Sequence, residues 1–427
     1  MTIFKRFIRI PGSLLARNTI LTTGGQAVRI VGQAIWVVLL ARAIGPERYG
    51  AFAGIAGLAT TLGALTGLGS GVLMLQDASR EHAQFPVAWK RSLLMALSSG
   101  LTFWMIFVLV APELFRINVG VLLYAAIGLP ELICFPLTVT SSYAFQAHER
   151  MGIAAMMYAL IPLGNLIAVG FFLLFAPRYT LGIYVPFHAI ASIIAAVCST
   201  LLVQRLLSPA PCVFSMSRRD VRESLGFSLM RLVDSGTTSL DKTLVLALGG
   251  SHVAGIYGSA SRLIAVLGMP IASLGAAALP RLFRHSQVDS RAQAKLVSVL
   301  LVATVAYGVI AAFLAYALSG VLTILFGNAF TQAAQVARWL AISPLLYGLY
   351  ALGCNVLVTS HRRALRILAQ ASGIAILAIT ALIWIPRFGL KGAVGMLLFS
   401  QGATALLLWL LVRWNRRADS PHSVATP

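Results

Sequence analysis

The sequence predicts an all-α polytopic membrane protein with about twelve transmembrane helices, in two six-helix lobes around a central cavity. The 427 residues are 59% hydrophobic and 11% charged, whereas soluble domains carry about 25% charged residues. A chain this apolar has too few polar side chains to cover a surface that faces water. Twelve apolar stretches, each about the roughly 20 residues that cross a bilayer, follow one another along the chain.

The predicted spans are separated by short linkers. Their apolar runs are much longer than the roughly 9–11 residues of a transmembrane barrel strand, which favours helices. The spans cover residues 18–41, 50–75, 91–111, 119–142, 154–176, 181–203, 226–249, 253–279, 296–318, 331–358, 364–385 and 391–412.

The longest linker, residues 204–225, divides the chain almost evenly and contains two prolines. It predicts an N-terminal lobe over 1–210, with spans 1 to 6, and a C-terminal lobe over 211–427, with spans 7 to 12. A weak repeat supports the division, because a glycine turn followed by glycine and an aromatic residue recurs at an offset of 205. The matching segments are Ile44-Gly45 with Gly249-Gly250, and Tyr49-Gly50-Ala51-Phe52 with Ala254-Gly255-Ile256-Tyr257. An even number of spans per half predicts parallel repeats.

The formal charge of +21 follows the predicted topology and therefore requires no nucleic acid partner. With the N-terminus in the cytoplasm, 22 of the 33 Lys and Arg residues fall in cytoplasmic loops or span ends, Arg366 among them, and 6 fall outside. Such a bias in short loops sets orientation. We expect a multi-pass protein of the bacterial inner membrane with both termini in the cytoplasm.

No cofactor, metal site or catalytic residue is predicted. The four cysteines are scattered, with no close pair that would indicate a disulfide framework or a zinc site. Every loop is short, which excludes a fused nucleotide-binding domain, and no phosphate-binding loop motif is present. A membrane polymerase or ligase, the alternative from the class of enzymes, is disfavoured because the outer loops hold about a dozen residues at most.

Span 7 carries an unusual set of charges. At about 100° per residue, Arg231, Asp234, Asp241 and Lys242 occupy an arc of roughly 120°, and leucine and valine residues cover the rest. A charge at the bilayer centre costs about 2.5–3.5 kcal/mol, so this arc must face the protein interior. We expect Arg231 to pair with Asp234, three residues away. Asp241 and Lys242 are adjacent and are expected to reach other helices or a ligand instead.

Other polar groups lie within predicted spans. Gln26, Arg29 and Gln33 share one face of span 1, and Arg262 lies near the middle of span 8. Glu131, beside a proline in span 4, is the isolated buried acid of the first half. For all of these charges the alternative is a salt-bridge network that only holds helices together. Glu131 could also be a neutral buried carboxyl or a partner of Arg29. Both Glu131 and Asp241 are candidate sites for an ion that drives transport.

Inward-facing arginines and a lysine predict a cavity with positive potential. Arginine binds phosphate oxygens in pairs, so this cavity suits an anionic solute such as a diphosphate. An exporter of cationic drugs would instead need an acidic cavity.

Several segments resemble stretches of the polysaccharide and O-antigen flippases, which belong to the multidrug/oligosaccharidyl-lipid/polysaccharide (MOP) exporter superfamily. Their order and their positions relative to the spans match over essentially the whole chain. The segments are 40–50 (LARAIGPERYG), 240–242 (LDK), 255–263 (GIYGSASRL), 279–282 (LPRL), 325–327 (LFG) and 388–393 (FGLKGA).

The resemblance implies a transporter rather than an enzyme. Its substrate would be a polyprenyl-diphosphate-linked oligosaccharide, moved from the cytoplasmic to the periplasmic leaflet by alternating access for export of a surface or extracellular polysaccharide. The resemblance places the substrate-binding charges at Arg231, Asp234, Asp241, Lys242 and Arg262. It implies membrane lipid, a proton or sodium ion, and the polymerase of the same pathway as partners. Alternatives within the superfamily are a drug/cation antiporter and a peptidoglycan-precursor flippase.

Overall fold

The structure, a computed structural model, describes residues 13–117, 119–211, 218–288, 290–360 and 362–418. All regular elements in these ranges are helical, and none of the described residues forms a strand. The α-helices are α1 Ser13–Gly63, α2 Ser70–Arg80, α3 Phe85–Phe115, α4 Val121–Leu129, α5 Phe135–Ala147, α6 Met151–Phe175, α7 Leu181–Leu207, α8 Arg218–Val288, α9 Ser290–Ala317, α10 Val321–Phe326, α11 Thr331–Trp339, α12 Ser343–Thr359, α13 Arg363–Phe388 and α14 Leu390–Ala418.

The two longest helices, α1 and α8, are each broken at one glycine. Gly45 has φ 81° and ψ 169°, and Gly250 has φ 81° and ψ 172°. Residues with a side chain rarely adopt a positive φ, so both turns depend on glycine. These are the two positions at which the sequence repeat predicts a glycine turn, and their backbone conformations are nearly identical.

The helices are long and apolar enough for a polytopic membrane protein. Among the described residues, nine helices could cross a bilayer, or ten if the bent pair Asn328–Trp339 and Ser343–Thr359 forms one span. Two of these helices contain the breaks at Gly45 and Gly250. If the bent pair is one span and each broken helix is two, the total is twelve spans. The predicted all-α class is therefore confirmed.

Large apolar side chains cover much of the outer surface. Leu109, Leu122 and Leu174 are 74–82% exposed. Exposed leucines on this scale are unfavourable in water and favourable in lipid. The exposure therefore supports the bilayer as the solvent of this protein.

Contacts between Cα atoms divide the chain into two compact units. Unit 1 contains residues 1–44 and 58–232, and unit 2 contains residues 45–57 and 233–427. The chain passes from unit 1 to unit 2 within helix α8, after Leu232. Residues 45–57 of α1 also belong to unit 2. The lobes 1–210 and 211–427 stay a prediction.

The first turns of α8 belong to unit 1 because they are fixed there. Arg91 of α3 donates to Asp77 of α2 and to Asp220 of α8, each at 2.7 Å, and its side chain is only 7% exposed. One arginine shared by two carboxylates gives charge-assisted bonds with defined geometry. Nearby, Gly69 has φ 77°, and a Cβ on it would overlap the Ser224 carbonyl oxygen of α8. This contact also requires glycine.

Two irregular turns lie side by side in unit 1. Span 2 is interrupted by the 3-10 turn Thr66–Gly69, and span 4 contains the π-helical turn Pro130–Cys134. A Cβ on Gly63 would lie 2.6 Å from the Glu131 carbonyl oxygen, which shows how close the two spans are. Such irregular turns are frequent at functional sites and hinges.

Candidate functional site

Unit 2 contains a cavity of about 250 Å³. Its wall is built from α8, α12, α13 and α14 and from the turn that precedes α12. Helix α8 contributes Thr237, Thr238, Asp241 and Lys242 to the wall. Of these, Asp241 and Lys242 belong to the polar arc that the sequence predicts for span 7. Part of that arc therefore lines an interior cavity.

Asp241 is the central acid of this cavity and is only 5% exposed. Lys242 Nζ lies 2.9 Å from Asp241 Oδ1, and Tyr257 donates its hydroxyl hydrogen to Asp241 Oδ2 at 2.8 Å. Lys242 Nζ also donates to the Thr238 carbonyl oxygen at 3.1 Å. The prediction that Asp241 and Lys242 do not pair is therefore wrong. The lysine chain is long enough to fold back along the helix, so the angle between adjacent positions does not prevent the contact.

Asp234 lies two helical turns before Asp241 in α8. It pairs with a different residue from the one predicted. Arg366 Nη2 lies 2.7 Å from Asp234 Oδ1, and Gln370 Nε2 donates to the same oxygen at 2.8 Å. In the described part of the chain, Arg231 forms no ion pair with Asp234, so the predicted local pair is wrong. Arg366 is missed by the sequence reasoning because it lies at the end of its span and counts there as a topological charge.

A chain of hydrogen bonds connects the Asp234 pair to the cavity. Gln370 Nε2 donates to the Tyr350 hydroxyl at 2.5 Å, and that hydroxyl donates to Thr237 Oγ1 at 3.4 Å. Tyr350 and Thr237 both line the cavity. Polar groups in a low-dielectric interior stabilise one another when each has a partner.

The ion pairs change the expected electrostatics of unit 2. Asp241 balances Lys242, and Asp234 balances Arg366. The cavity wall is therefore polar but nearly neutral, whereas the sequence predicts a positive one. Arg262 does not belong to the wall. Its Nε is buried and has no hydrogen-bond partner among the described residues.

Unit 1 brings two other predicted residues together. Arg29 of α1 and Arg231 of α8 both interact electrostatically with Tyr158 of α6. The Tyr158 side chain lies close to those of Tyr143 and Gln146. No sequence pattern indicates Tyr158, which lies in an apolar stretch of span 5, so the sequence reasoning misses it. Gln33 is half-buried in α1, and the side chain of Gln26 lies outside the described part of the structure.

Glu131 lies in the π-helical turn of unit 1. The Thr60 hydroxyl of span 2 donates to Glu131 Oε2 at 3.0 Å. Thr60 comes three residues after Gly57, where span 2 passes from unit 2 to unit 1. The contact therefore joins two irregular spans at the point where the chain changes unit. The described residues contain no group of three or more His, Cys, Asp or Glu side chains that could hold a metal ion.

A family model described as "Polysaccharide biosynthesis protein" matches residues 15–286. The chain belongs to this family. The match includes the polar arc of span 7, the Gly250 turn and the stretch that contains Tyr257 and Arg262. Comparison with curated proteins finds no match.

Solved structures of transporters are similar over nearly the whole chain. An inward-facing multidrug resistance MATE family transporter of the MOP superfamily has a TM-score of 0.73 at 15% identity, over 91% of this chain and 95% of that chain. The MATE multidrug transporter DinF-BH in complex with R6G has a TM-score of 0.66 at 15% identity, over 95% and 96%. A MOP superfamily transporter from Pyrococcus furiosus Vc1, whose binding pocket is described as having reverse polarity, has a TM-score of 0.62 at 16% identity, over 95% and 95%.

At these identities the similarity shows a shared fold. Together with the family match, it confirms the resemblance to the MOP superfamily that the sequence motifs indicate. The family member described here therefore has the fold of the MOP transporters.

Proposed function

We propose that this family member is a flippase. It moves a polyprenyl-diphosphate-linked oligosaccharide from the cytoplasmic to the periplasmic leaflet of the bacterial inner membrane by alternating access, for export of a surface or extracellular polysaccharide. The family match and the MOP fold support a transport role in polysaccharide biosynthesis. The protein acts without a cofactor and with both termini in the cytoplasm.

The observation that carries the proposal is that Arg29 and Arg231 both lie close enough to Tyr158 in unit 1 to interact with it electrostatically. Two intramembrane guanidinium groups near one phenol suit a ligand with several negative oxygens. Each guanidinium group can bind two phosphate oxygens, and the phenol adds a further hydrogen bond. A diphosphate meets these requirements, and a cationic drug does not.

The remaining predicted residues have supporting roles in this proposal. The pairs Asp234–Arg366 and Asp241–Lys242 keep the interior of unit 2 polar without a net charge. Arg262, whose buried Nε has no hydrogen-bond partner among the described residues, supplies a further cation for the substrate. The amides of Gln26 and Gln33 bind sugar hydroxyls. The polymerase of the same pathway would receive the product in the periplasmic leaflet.

We assign ion coupling to Glu131 rather than to Asp241. Asp241 already accepts bonds from Lys242 and Tyr257, so its charge is balanced within the protein. Glu131 contacts Thr60 at the point where span 2 changes unit. Binding of a proton or sodium ion at Glu131 alters that contact and so favours one conformation over the other.

Polymer export in a strain that depends on this protein tests the proposal. Arg29→Ala and Arg231→Ala are each expected to abolish export while the protein accumulates normally in the membrane. Lysine at either position is expected to restore only part of the activity, because a point charge binds one oxygen at a time. Arg178→Ala, at an exposed position, is the matched control. Full export by both alanine variants would contradict the proposal.

A further inference from the structure

The cavity of unit 2 has a hydrogen-bonding wall that differs from the basic site of unit 1. We infer that it is a subsite for one neutral sugar ring of the transported oligosaccharide. The inference rests on the proposed flippase function and adds to it a site for part of the glycan.

The size of the cavity limits its occupant to a small one. Clefts that hold drug-sized ligands have volumes of about 300–1,000 Å³, and this cavity has a volume of about 250 Å³. One sugar ring therefore suits it better than a complete oligosaccharide does.

Six hydroxyl groups of the wall already donate their hydrogen atoms within the protein. Ser261 donates to the Tyr257 carbonyl oxygen, Ser400 to that of Gly373, and Thr404 to that of Ser400, at 2.6–2.8 Å.

The other three hydroxyl groups are used in the same way. Ser343 donates to Gln401 Oε1 at 2.8 Å. Thr237 and Thr238 both donate to the Asp234 carbonyl oxygen. Each of these hydroxyls can offer a ligand only its oxygen lone pairs.

A wall rich in acceptors selects a ligand that donates hydrogen bonds. Sugar hydroxyls donate and accept, whereas an ionised diphosphate only accepts. The Gln401 side chain supplies the complementary donor, because its Nε2 has no partner among the described residues while its Oε1 is held by Ser343. A hydroxyl-bearing ring can satisfy both kinds of group, and a phosphate would leave the acceptors unpaired.

The remaining features of the wall also suit a neutral ring. Tyr347 and Tyr350 line the cavity with their ring centroids 6.1 Å apart at 35°. Rigid aromatic side chains offer an apolar face for the C–H groups of a sugar, with a polar tip at the edge. The Asp241–Lys242 pair leaves the wall without a net charge, so neither an acidic nor an amino sugar gains from it.

Protection of an introduced cysteine tests the inference on the purified full-length protein in nanodiscs. Ser261→Cys is made in a background in which Cys134, Cys198, Cys212 and Cys354 are replaced by serine or alanine. The alkylation rate with N-ethylmaleimide is measured alone and with millimolar methyl glucoside, N-acetylglucosamine, glucuronate or inorganic diphosphate. Ala265→Cys, also on the wall, replaces Ser261→Cys if that variant does not fold.

We expect the two neutral sugars to slow alkylation several-fold, and glucuronate and diphosphate to leave it unchanged. Adding Gln401→Leu should abolish the protection. A variant that keeps only Cys198, which is exposed, should react at the same rate with every probe. Protection by diphosphate, or by none of the four probes, would overturn the sugar subsite. The flippase proposal is judged separately, since export by the Arg29 and Arg231 variants does not depend on this labelling.

Discussion

Gly50 and Gly255 pack directly against each other's helix in unit 2. A Cβ on Gly50 would overlap the Ser251 carbonyl oxygen and the Gly255 nitrogen, and a Cβ on Gly255 would overlap the Pro46 carbonyl oxygen. Gly50 and Gly255 are 205 residues apart, and so are Pro46 and Ser251. The two copies of the sequence repeat therefore make equivalent contacts with one another, each through a glycine.

Alanine at Gly50 or Gly255 is expected to destabilise the protein strongly. A new methyl group at either position would meet a backbone carbonyl, which cannot move without shifting a helix. We therefore expect the free energy of unfolding to fall by about 1–3 kcal/mol or more. Gly182→Ala and Gly402→Ala are the matched controls, because a Cβ at either position would lie more than 4 Å from any neighbouring element in the described part of the chain. Melting temperatures of the detergent-purified variants measure the difference. Equal melting temperatures in all four variants would show that the glycine contact is unnecessary.

Replacing Asp241 and Lys242 together is expected to lower the amount of folded protein by less than the sum of the two single replacements. Lys242→Gln leaves a carboxylate that is 6% exposed at its side chain without its cation, and Asp241→Asn leaves the lysine without its anion. Each single change should lower the amount of folded protein, because an unpaired buried charge is costly. The double variant should recover part of the loss. A double-mutant cycle on membrane-embedded protein gives the coupling energy, and strictly additive losses would argue against the pair.

The Asp234–Arg366 pair predicts rescue by charge reversal. Asp234→Arg alone places two cations together, and Arg366→Asp alone places two anions together, so both should reduce polymer export. The combined reversal should restore export in part, since the 2.7 Å contact can form in the opposite sense. Gln370, which also donates to Asp234, limits the recovery. No recovery by the combined variant, with normal protein levels, would mean that the residues act separately.

The split of basic residues predicts the orientation of every loop. Reporter fusions after residues 45, 116, 178, 251, 325 and 388 are expected to report the periplasm. Fusions after residues 85, 148, 213, 287 and 362 are expected to report the cytoplasm. The fusion after residue 213 is the most informative, because a periplasmic signal there would contradict two halves of six spans each.

Much of the fold could be predicted because its signals are local. Apolar runs of span length predict the helices, and the glycines at 45 and 250 predict both breaks, since the positive φ there needs glycine. The passage between units at Leu232 could not be predicted. It depends on contacts such as Arg91–Asp220, whose residues are 129 positions apart.

The candidate site was predictable in composition but not in pairing. The polar arc of span 7 predicts which residues face the interior, and two of its four charged residues, Asp241 and Lys242, do line the cavity. Their partners come from other helices or from side-chain reach. Arg366 approaches Asp234 from α13, and Tyr257 approaches Asp241 from beyond the Gly250 break. Helical periodicity contains no information on either contact.

Transbilayer movement of a lipid-linked sugar tests the central claim most directly. Purified protein is reconstituted in vesicles that contain a polyprenyl diphosphate carrying N-acetylglucosamine. The fraction of this lipid-linked sugar that reacts with a membrane-impermeant sugar-modifying reagent is then measured over time. We expect the wild-type protein to expose the inner-leaflet pool, and the Arg29→Ala/Arg231→Ala double variant to leave it protected. Equal movement by the double variant, or none by the folded wild-type protein with a proton or sodium gradient applied, would contradict the account.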